Sequence, residues 1–401
     1  MQELAEAAAQ IADGKGVRVP HLERTDEIGV LANALQSWQD ATTEREILID
    51  QVPVGVCRVD RERRMPMVNL AMATMLGYTK QELTGRSILD INPPEHHART
   101  NSAFEAFMSG KRDLYASERQ WLRKDGSQIW CSLRVAPIRP HEGGAPMYLI
   151  AISEDITRQK QQDLYAAQIQ HHLLPQVTPR IEGYNLAATC VPAENVGGDF
   201  YDWVLRDDGR VDLTVADVMG KGVAAALVMA TVRAAMRAVS PSLGPVDRAR
   251  VAAESLSREI TDEGMFVTLF HCRLESSTGT LEYVDAGHGF SAIRRATGEF
   301  ERLMTRSMPL GVDEEAAVEG GAARLEPGDT LVMYSDGLVE TEARTLTLED
   351  FRTDFDESED AAEAVRRLMA RVPANRTDDV TIVLLRRLPT RGPAPAAGSP
   401  S

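Results

Sequence analysis

The sequence predicts an α+β multidomain protein, and three observations lead to this fold class. Its 401 residues suffice for two to four domains of ordinary size. Charged residues make up 26% and hydrophobic residues 43% of the chain, which is typical of a folded globular protein. The hydrophobic pattern changes along the chain, so we expect a helical segment followed by two regions that mix strands and helices.

Charge and cysteine content exclude several classes of protein. The formal net charge is −16, with 60 acidic against 44 basic residues, so no nucleic-acid partner is expected. The four cysteines are scattered without a C-x-x-C pair, which argues against a disulfide framework or a zinc site. Since no run of 18 apolar residues occurs, we expect no membrane span in this chain and a cytoplasmic location.

Residues 1–45 have the pattern of a helical hairpin. The run Gln2–Ala12 is rich in residues that favour helix, and glycines follow it. Thr25 or Asp26 is placed to cap a second helix. Apolar residues then recur at three- and four-residue spacing, at Ile28, Leu31, Leu35 and Trp38. Such a stripe pairs helices but does not build a globular core.

The motifs ADGKGVRVP and DEIG in this hairpin resemble a HAMP signal relay. HAMP relays are parallel coiled-coil dimers that pass on a membrane signal, so the resemblance implies a HAMP-like relay and a homodimer. A transmembrane helix normally precedes this point in that family. We therefore expect a soluble or truncated version of a membrane receptor, which would be membrane-associated if such a segment lies upstream in the native protein.

Residues 46–158 contain short strands and helices, with a hairpin predicted at Asp125-Gly126. The region resembles a PAS sensor domain, an α/β fold, over its whole length. The residues that carry the resemblance are Asn69, Met75-Leu76-Gly77-Tyr78, Glu82-Leu83, Gly85, Lys124-Asp125-Gly126 and Asp155-Ile156-Thr157.

The resemblance leaves the ligand of this domain unknown. PAS domains bind haem, flavin or small molecules, and others are empty dimerising modules. The cysteine-bearing helix of flavin photosensors is absent, because NPPEHHART stands in its place. His96 and His97 are better explained as an exposed helical pair than as haem ligands.

Residues 159–176 are polar and predict a linker helix. Leu164, Tyr165, Ile169 and Leu173 form a narrow apolar edge, which favours a short coiled-coil linker across a dimer. At the other end of the chain, residues 389–401 are rich in proline, alanine, glycine and serine. This composition predicts a disordered tail.

Between the linker and the tail, strand-like runs repeatedly have aspartates at their ends. The aspartates in this pattern are Asp199, Asp202, Asp217, Asp336, Asp378 and Asp379. A single aspartate beside a glycine is usually a turn residue. Several carboxylates brought together would repel one another, unless hard divalent cations such as Mg²⁺ or Mn²⁺ balance them.

Eight ordered motifs, which span about residues 170–388 and lie almost wholly within the region 177–388, resemble the SpoIIE-type branch of the PPM serine/threonine phosphatases. They are LLP, just before this region, then GGDFYD, DVMGKGVAAAL, FVTLF, YVDAGHGF, MPLGV, LEPGDTLVMYSDGLVE and TDDVTIVLLR. The resemblance implies an α/β/β/α sandwich with two Mn²⁺ or Mg²⁺ ions at one end. It also implies a regulatory helix after Lys221-Gly222, with apolar positions at Leu227, Val228, Val232 and Met236.

The same resemblance assigns roles to individual residues. Asp217 corresponds to the metal-bridging carboxylate, and Val218 offers its backbone carbonyl. Asp336 and Asp378 are the remaining metal ligands, and Asp199 is a ligand directly or through water. Asp217 and Asp199 are thus the catalytic carboxylates of metal-assisted hydrolysis. Asp202 and Asp379 are expected to hold the metal ligands in position without binding the metals themselves.

The motifs do not assign the acid that would protonate the leaving group. No histidine follows closely on the bridging aspartate, although one does in eukaryotic relatives. His288 is a candidate, but a structural role at a strand turn explains it better.

The expected function is that of a sensor-regulated protein serine/threonine phosphatase. The resemblance suggests a phosphorylated STAS-type anti-anti-sigma factor as substrate, in a partner-switching pathway. One alternative is a catalytically inactive phosphatase-like scaffold. A sensor histidine kinase would use His171-His172 but lacks an ATP-binding domain, and a diguanylate cyclase would leave the SDG and DDVT motifs unexplained.

Overall fold

The chain forms two compact units, residues 1–161 and 162–401. The computed structural model describes residues 2–12, 16–140, 144–259, 264–305, 307–313, 316–340, 345–373 and 376–389. The predicted stop at Asp13-Gly14-Lys15 lies outside the described residues, as does the predicted tail apart from Pro389. No helix in the described ranges has both the length and the apolar character needed to cross a bilayer.

The first unit begins with a helical hairpin, as the sequence predicts. Helix α1 is Gln2–Ala12, and helix α2 is Glu27–Gln51, which extends past the expected boundary at residue 45. Asp26 caps α2, because its carboxylate accepts a hydrogen bond from the backbone N–H of Gly29 at 3.2 Å. A small apolar cluster joins the two helices through Leu4, Ile11, Val19 and Ala32. The hairpin is confirmed, whereas the HAMP-like relay stays a prediction.

The rest of the first unit is one five-stranded antiparallel sheet with helices. The strands are β1 Gly55–Val59, β2 Met67–Val68, β3 Tyr115–Leu122, β4 Gln128–Ile138 and β5 Tyr148–Asp155, in the order β2-β1-β5-β4-β3. The helices are α3 Leu70–Leu76, α4 Lys80–Leu83 and α5 His97–Met108, with 3₁₀ turns at Ile88–Ile91 and Pro94–His96. The predicted hairpin turn is present between β3 and β4, where Gly126 adopts φ +84°.

Buried Asn69 ties the parts of this unit together. Its side-chain oxygen accepts hydrogen bonds from the N–H groups of Val56 at 2.8 Å and Met72 at 2.9 Å. Its amide nitrogen donates to the carbonyls of Val54 at 2.9 Å and Ile49 at 3.0 Å. One side chain therefore caps α3 and fixes the end of α2 against β1.

The predicted linker is a single helix, α6 Thr157–Leu173, which begins two residues earlier than expected. Leu164, Tyr165 and Ile169 are exposed on it, while Gln170 is buried. Leu173 packs against the apolar core of the second unit. The helix is confirmed, and a coiled coil across a dimer stays a prediction.

The second unit contains two five-stranded antiparallel sheets. One has the order β13-β10-β9-β8-β7 and the other the order β12-β11-β14-β15-β6. The strands are β6 Tyr184–Val191, β7 Phe200–Leu205, β8 Arg210–Val218, β9 Val267–Glu275, β10 Thr280–Ala286, β11 Ser291–Arg294, β12 Phe300–Arg302, β13 Gly320–Arg324, β14 Thr330–Tyr334 and β15 Val380–Arg387. The helices are α7 Gly222–Ala238, α8 Pro245–Glu259, α9 Arg352–Asp356 and α10 Ala361–Arg371, with 3₁₀ turns at Asp336–Leu338 and Leu348–Phe351.

Three apolar layers produce the predicted α/β/β/α sandwich. The central core joins the inner faces of the two sheets, for example Leu213 and Phe270 with Leu331 and Val383. Helices α7 and α8 cover one outer face, and α9 and α10 cover the other. Of the apolar positions named in the sequence of α7, Val228, Val232 and Met236 are buried, whereas Leu227 is 65% exposed. Ala225 and Met229 complete the buried stripe.

All four cysteines are free thiols, two in each unit. Cys57 and Cys131 lie in the sheet of the first unit, where burial raises the pKa of each thiol to about 12. Cys190 and Cys272 lie in the sandwich, and burial raises their pKa values as well. This agrees with the sequence expectation that the cysteines form no disulfide framework.

Candidate active site

Four of the predicted aspartates lie at strand ends, two on each sheet. Asp199 directly precedes β7, and Asp217 is the penultimate residue of its neighbour β8. Asp336 begins the 3₁₀ turn that follows β14, and Asp378 stands two residues before the neighbouring β15. Antiparallel pairing places the start of one strand beside the end of its neighbour. Each sheet therefore carries its two aspartates at the same end of its strands.

Carboxylates from the two sheets influence one another electrostatically. Burial, followed by the charges of Asp336 and Asp378, raises the pKa of Asp217 to about 6. Burial and the charge of Asp217 raise the pKa of Asp199 well above its ordinary value. Asp336 likewise has a raised pKa, through burial and the charge of Asp378. A cluster of like charges that destabilise one another is the arrangement that a cation would relieve.

The donor set fits hard divalent cations in chemistry but does not form a closed ligand shell. All the groups are oxygen donors, as Mg²⁺ and Mn²⁺ prefer. The Oδ2 atom of Asp199 is buried and has no hydrogen-bond partner. In the described parts of the chain, however, no three acidic, histidine or cysteine side chains are positioned to hold one ion.

The backbone carbonyl of Val218 lies against the loop that carries Asp199. A side chain at Gly198 would place its Cβ 2.5 Å from the oxygen of Val218, so only glycine allows this approach. This close approach explains why the residue before Asp199 is a glycine. The predicted use of the Val218 carbonyl as a ligand stays a prediction.

Asp379 holds that same loop in place. Its carboxylate accepts hydrogen bonds from the N–H groups of Ala193 at 2.7 Å and Gly198 at 2.8 Å. A Cβ at Gly197 would collide with this carboxylate, so a side chain there would displace Asp379 from its hydrogen bonds to the loop. These contacts are those of a residue that positions the loop.

The hydrogen bonds of Asp202 go to helix α7. Its oxygens bind Nε of Arg237 at 2.6 Å and Nη2 of the same residue at 2.7 Å, and Nε of Arg233 lies 3.3 Å away. Because these arginines occupy both oxygens, Asp202 fastens β7 to α7. Asp202 was predicted to support the metal ligands, but the side chains it binds are these arginines of α7.

His288 has the geometry of a structural residue. Its Nε2 atom donates to the carbonyl of Tyr334 at 2.9 Å, and Nδ1 lies 3.1 Å from the hydroxyl of Thr268. Burial lowers its pKa to about 4, so the imidazole is neutral at pH 7. Since both nitrogens are engaged, His288 is not available as a leaving-group acid.

Lys221 and Gln170 also reach the site, although the sequence assigned neither of them a role there. The Nζ atom of Lys221 lies 3.4 Å from Oδ1 of Asp378, and its charge offsets a small part of the burial and repulsion that raise the pKa of Asp336. Gln170 of α6 binds Gly197 twice: its amide donates to the carbonyl at 2.7 Å, and its oxygen accepts from the N–H at 3.1 Å. Lys221 stood in a visible GKG motif, whereas a glutamine in a polar helix gives no sequence signal.

We expect Gln170→Leu to lower kcat for phosphate release roughly 10- to 100-fold, because the freed loop no longer fixes Asp199. The measurement is steady-state kinetics at saturating Mn²⁺. Gln168→Leu is the matched control, since Gln168 is exposed on the same helix and should keep the wild-type kcat. Equal rates for the two variants would show that the contact between α6 and the loop does not position the site.

Comparison with known proteins finds a family match in each unit. Residues 207–388 match the family model described as stage II sporulation protein E (SpoIIE), and residues 49–161 match the model described as PAS fold. The phosphoserine phosphatase RsbU of Bacillus subtilis is 31% identical over 235 residues, covering 55% of this chain and 69% of that protein. Protein IcfG of Synechocystis is 29% identical over 211 residues, covering 46% of this chain.

The chain spans only part of these relatives, because the matched region covers 33% of the length of IcfG. Among solved structures, the SiaA-PP2C domain of Pseudomonas aeruginosa superposes with a TM-score of 0.51 at 20% identity. That match covers 58% of this chain and 99% of the domain. It supports the fold of the second unit, a PP2C-type sandwich.

Proposed function

The chain belongs to the SpoIIE/RsbU family of phosphoserine phosphatases, and from this premise we propose that it is a PAS-regulated, metal-dependent protein serine/threonine phosphatase. The observation that carries the proposal is the cluster of Asp199, Asp217, Asp336 and Asp378 at the strand ends of the sandwich. Burial and neighbouring carboxylates raise the pKa values of Asp199, Asp217 and Asp336, so the folded chain holds negative charges close together. Lys221 lies near Asp378, but a buried structural carboxylate is normally paired with a cation of its own.

Each residue has a distinct part in the proposed reaction. Asp217, Asp336 and Asp378, with Asp199 and the Val218 carbonyl, would hold two Mn²⁺ or Mg²⁺ ions. Bound, the ions would lower the pKa of a water and neutralise charge on the phosphoryl oxygens. Asp379 and Gln170 keep the Asp199 loop in position. Lys221 is placed to attract a phosphorylated substrate to this edge of the sheets.

The substrate class follows from the family. RsbU is named as a phosphoserine phosphatase, and we propose a phosphoserine or phosphothreonine substrate for this chain. A STAS-type anti-anti-sigma factor in a partner-switching pathway is the specific partner that we propose. We further propose a homodimer joined through the HAMP-like hairpin and the exposed apolar edge of α6, since Leu164, Tyr165 and Ile169 have no apolar cover within the described chain.

Metal dependence tests the proposal. We expect the full chain to release phosphate from a phosphoserine peptide when Mn²⁺ or Mg²⁺ is present, and to lose this activity in EDTA, because unbalanced carboxylates neither activate water nor bind a phosphate dianion. Restoring the metal should restore the activity. A phosphorylated STAS protein is then compared with the peptide at equal concentration.

A phosphatase-like scaffold is the second candidate. The observation in its favour is that the described carboxylates do not form a closed ligand shell. The scaffold predicts binding of the phosphoprotein without turnover. Activity that survives EDTA would contradict the metal-dependent mechanism, and binding without phosphate release in Mn²⁺ would favour the scaffold.

A further inference from the structure

The first unit encloses a cavity unrelated to the aspartate cluster. It has a free volume of about 70 Å³ and lies between the sheet and helix α5. Most of its lining is apolar, including Phe104, Phe107, Trp121 and Leu133. A single water needs roughly 10–15 Å³ of such space, so the cavity has room for a small organic molecule. Neither His96 nor His97 lines it, which argues against a haem held by this pair.

Arg119 of β3 introduces a positive charge into this apolar cavity. The residue is only 6% exposed. Its Nη2 atom donates to the hydroxyl of Tyr115 at 2.8 Å, and Nη1 lies 3.3 Å from the hydroxyl of Thr100 and 3.5 Å from Oδ1 of Asn92. Its Nε atom is buried without a partner. Every group that receives these hydrogen bonds is neutral.

A buried guanidinium without a counter-ion is costly, and the second unit shows the usual solution. There the buried arginines around Asp212 share its carboxylate. Arg119 forms no ion pair within the chain that the structure describes, so its charge stays uncompensated. Arg112 adds positive charge nearby, since both arginines lie over the ring of Tyr115, at 5.1 and 5.4 Å from its centroid.

We propose that this cavity binds a small monocarboxylic acid with an apolar body, and that Arg119 pairs with its carboxylate. The guanidinium fork, with a free Nε–H, matches the two oxygens of a carboxylate. The aromatic and aliphatic walls bury the rest of the molecule. A phosphate ion would satisfy the charge but would leave the apolar walls without contact, so the lining favours an organic acid.

Ligand titration of the full chain tests the proposal without using phosphatase activity. Isobutyrate and benzoate are the probes, and isobutyramide and benzamide are the neutral controls of the same shape. We expect the acids to raise the thermal unfolding midpoint of the first unit and to bind at least roughly tenfold more tightly than the amides. Inorganic phosphate should have no effect. Equal binding of acids and amides, or binding of neither acid, would overturn the proposal.

Arg119→Met separates a ligand-binding role from a structural one. We expect this variant to lose acid binding while the unliganded chain keeps or raises its unfolding midpoint, because an uncompensated buried charge has been removed. Arg112→Met is the matched control and should keep binding within about threefold, since Arg112 is only partly buried. If Arg119→Met lowers the unliganded midpoint, Arg119 is a structural residue and the proposal is wrong. Arg119→Lys, which keeps the charge without the fork, is expected to bind the acids more weakly than the wild type.

Discussion

Replacing Asp336 by asparagine is expected to reduce phosphate release roughly 1,000-fold, a loss of about 4 kcal/mol in transition-state stabilisation. Asp336 is one of the carboxylates whose pKa is raised by burial and by a neighbouring charge, that of Asp378. An amide keeps the shape of the side chain but supplies no negative charge to balance two divalent cations. The measurement is phosphate release from a phosphoserine peptide across a Mn²⁺ titration.

The same variant should have the opposite effect on the metal-free fold. Removing one of several repelling charges is expected to leave the free energy of unfolding in EDTA unchanged or slightly higher. Glu282→Gln is the matched control, because Glu282 is exposed on β10 of the same unit and loses the same charge. Activity of Asp336→Asn close to that of Glu282→Gln would contradict the assignment. Loss of activity together with a destabilised fold would indicate a structural role instead.

Asp212→Asn is expected to lower the free energy of unfolding of the second unit by about 3–5 kcal/mol. Asp212 lies on β8 and is almost completely buried. It binds Nε of Arg273 at 2.7 Å and Nε of Arg206 at 3.1 Å, and Nε of Arg248 lies 3.7 Å away. Without its carboxylate, these three buried guanidinium groups would have no counter-charge there. The measurement is urea unfolding at pH 7.

Asp208→Asn is the control for this prediction. Asp208 pairs with Arg210 at an exposed turn of the same hairpin, where solvent screens the pair, so its loss should destabilise the unit far less than Asp212→Asn does. Burial alone would raise the pKa of Asp212, but the hydrogen bonds from Arg273 and Arg206 hold it below its usual range. Its contribution is therefore present above the ordinary carboxyl pKa of about 3.9 and is lost as the pH falls through the depressed native value. The free energies of unfolding of the wild type and of Asp212→Asn should differ by the same amount from pH 5 to 8 and converge in acid. Equal stability of the two proteins at pH 7 would contradict the charge argument.

Local signals in the sequence predicted most of the fold correctly. The cap at Asp26, the hairpin turn at Gly126 and the positions of Asp217 and Asp336 at strand ends all depend on residues close in sequence. Turn chemistry and two-residue alternation are local properties, so they are readable without a structure. The sandwich itself came from the resemblance of ordered motifs rather than from periodicity.

Contacts between distant segments could not be read in this way. Asp202 was expected to support the metal ligands, but successive residues of a strand face opposite sides, and its partner Arg237 lies 35 residues further along. Asp212 alternates with buried Val211 and Leu213, which suggests an exposed side chain. Arginines from three other segments cover it instead. The exposure of Leu227 has a similar cause, because the apolar spacing of a helix allows neighbouring stripes and only the packing partner selects the buried one.

Three buried thiols make the stability of each unit separately measurable. A thiol reacts as its thiolate, and burial raises the pKa of Cys57, Cys131 and Cys272, so a maleimide should modify each of them only when its surroundings open. Because Cys57 and Cys131 report the first unit and Cys272 reports the second, mass spectrometry of labelled peptides resolves two opening rates from one sample. A ligand in the cavity of the first unit should slow labelling of Cys57 and Cys131, and Asp212→Asn should accelerate labelling of Cys272.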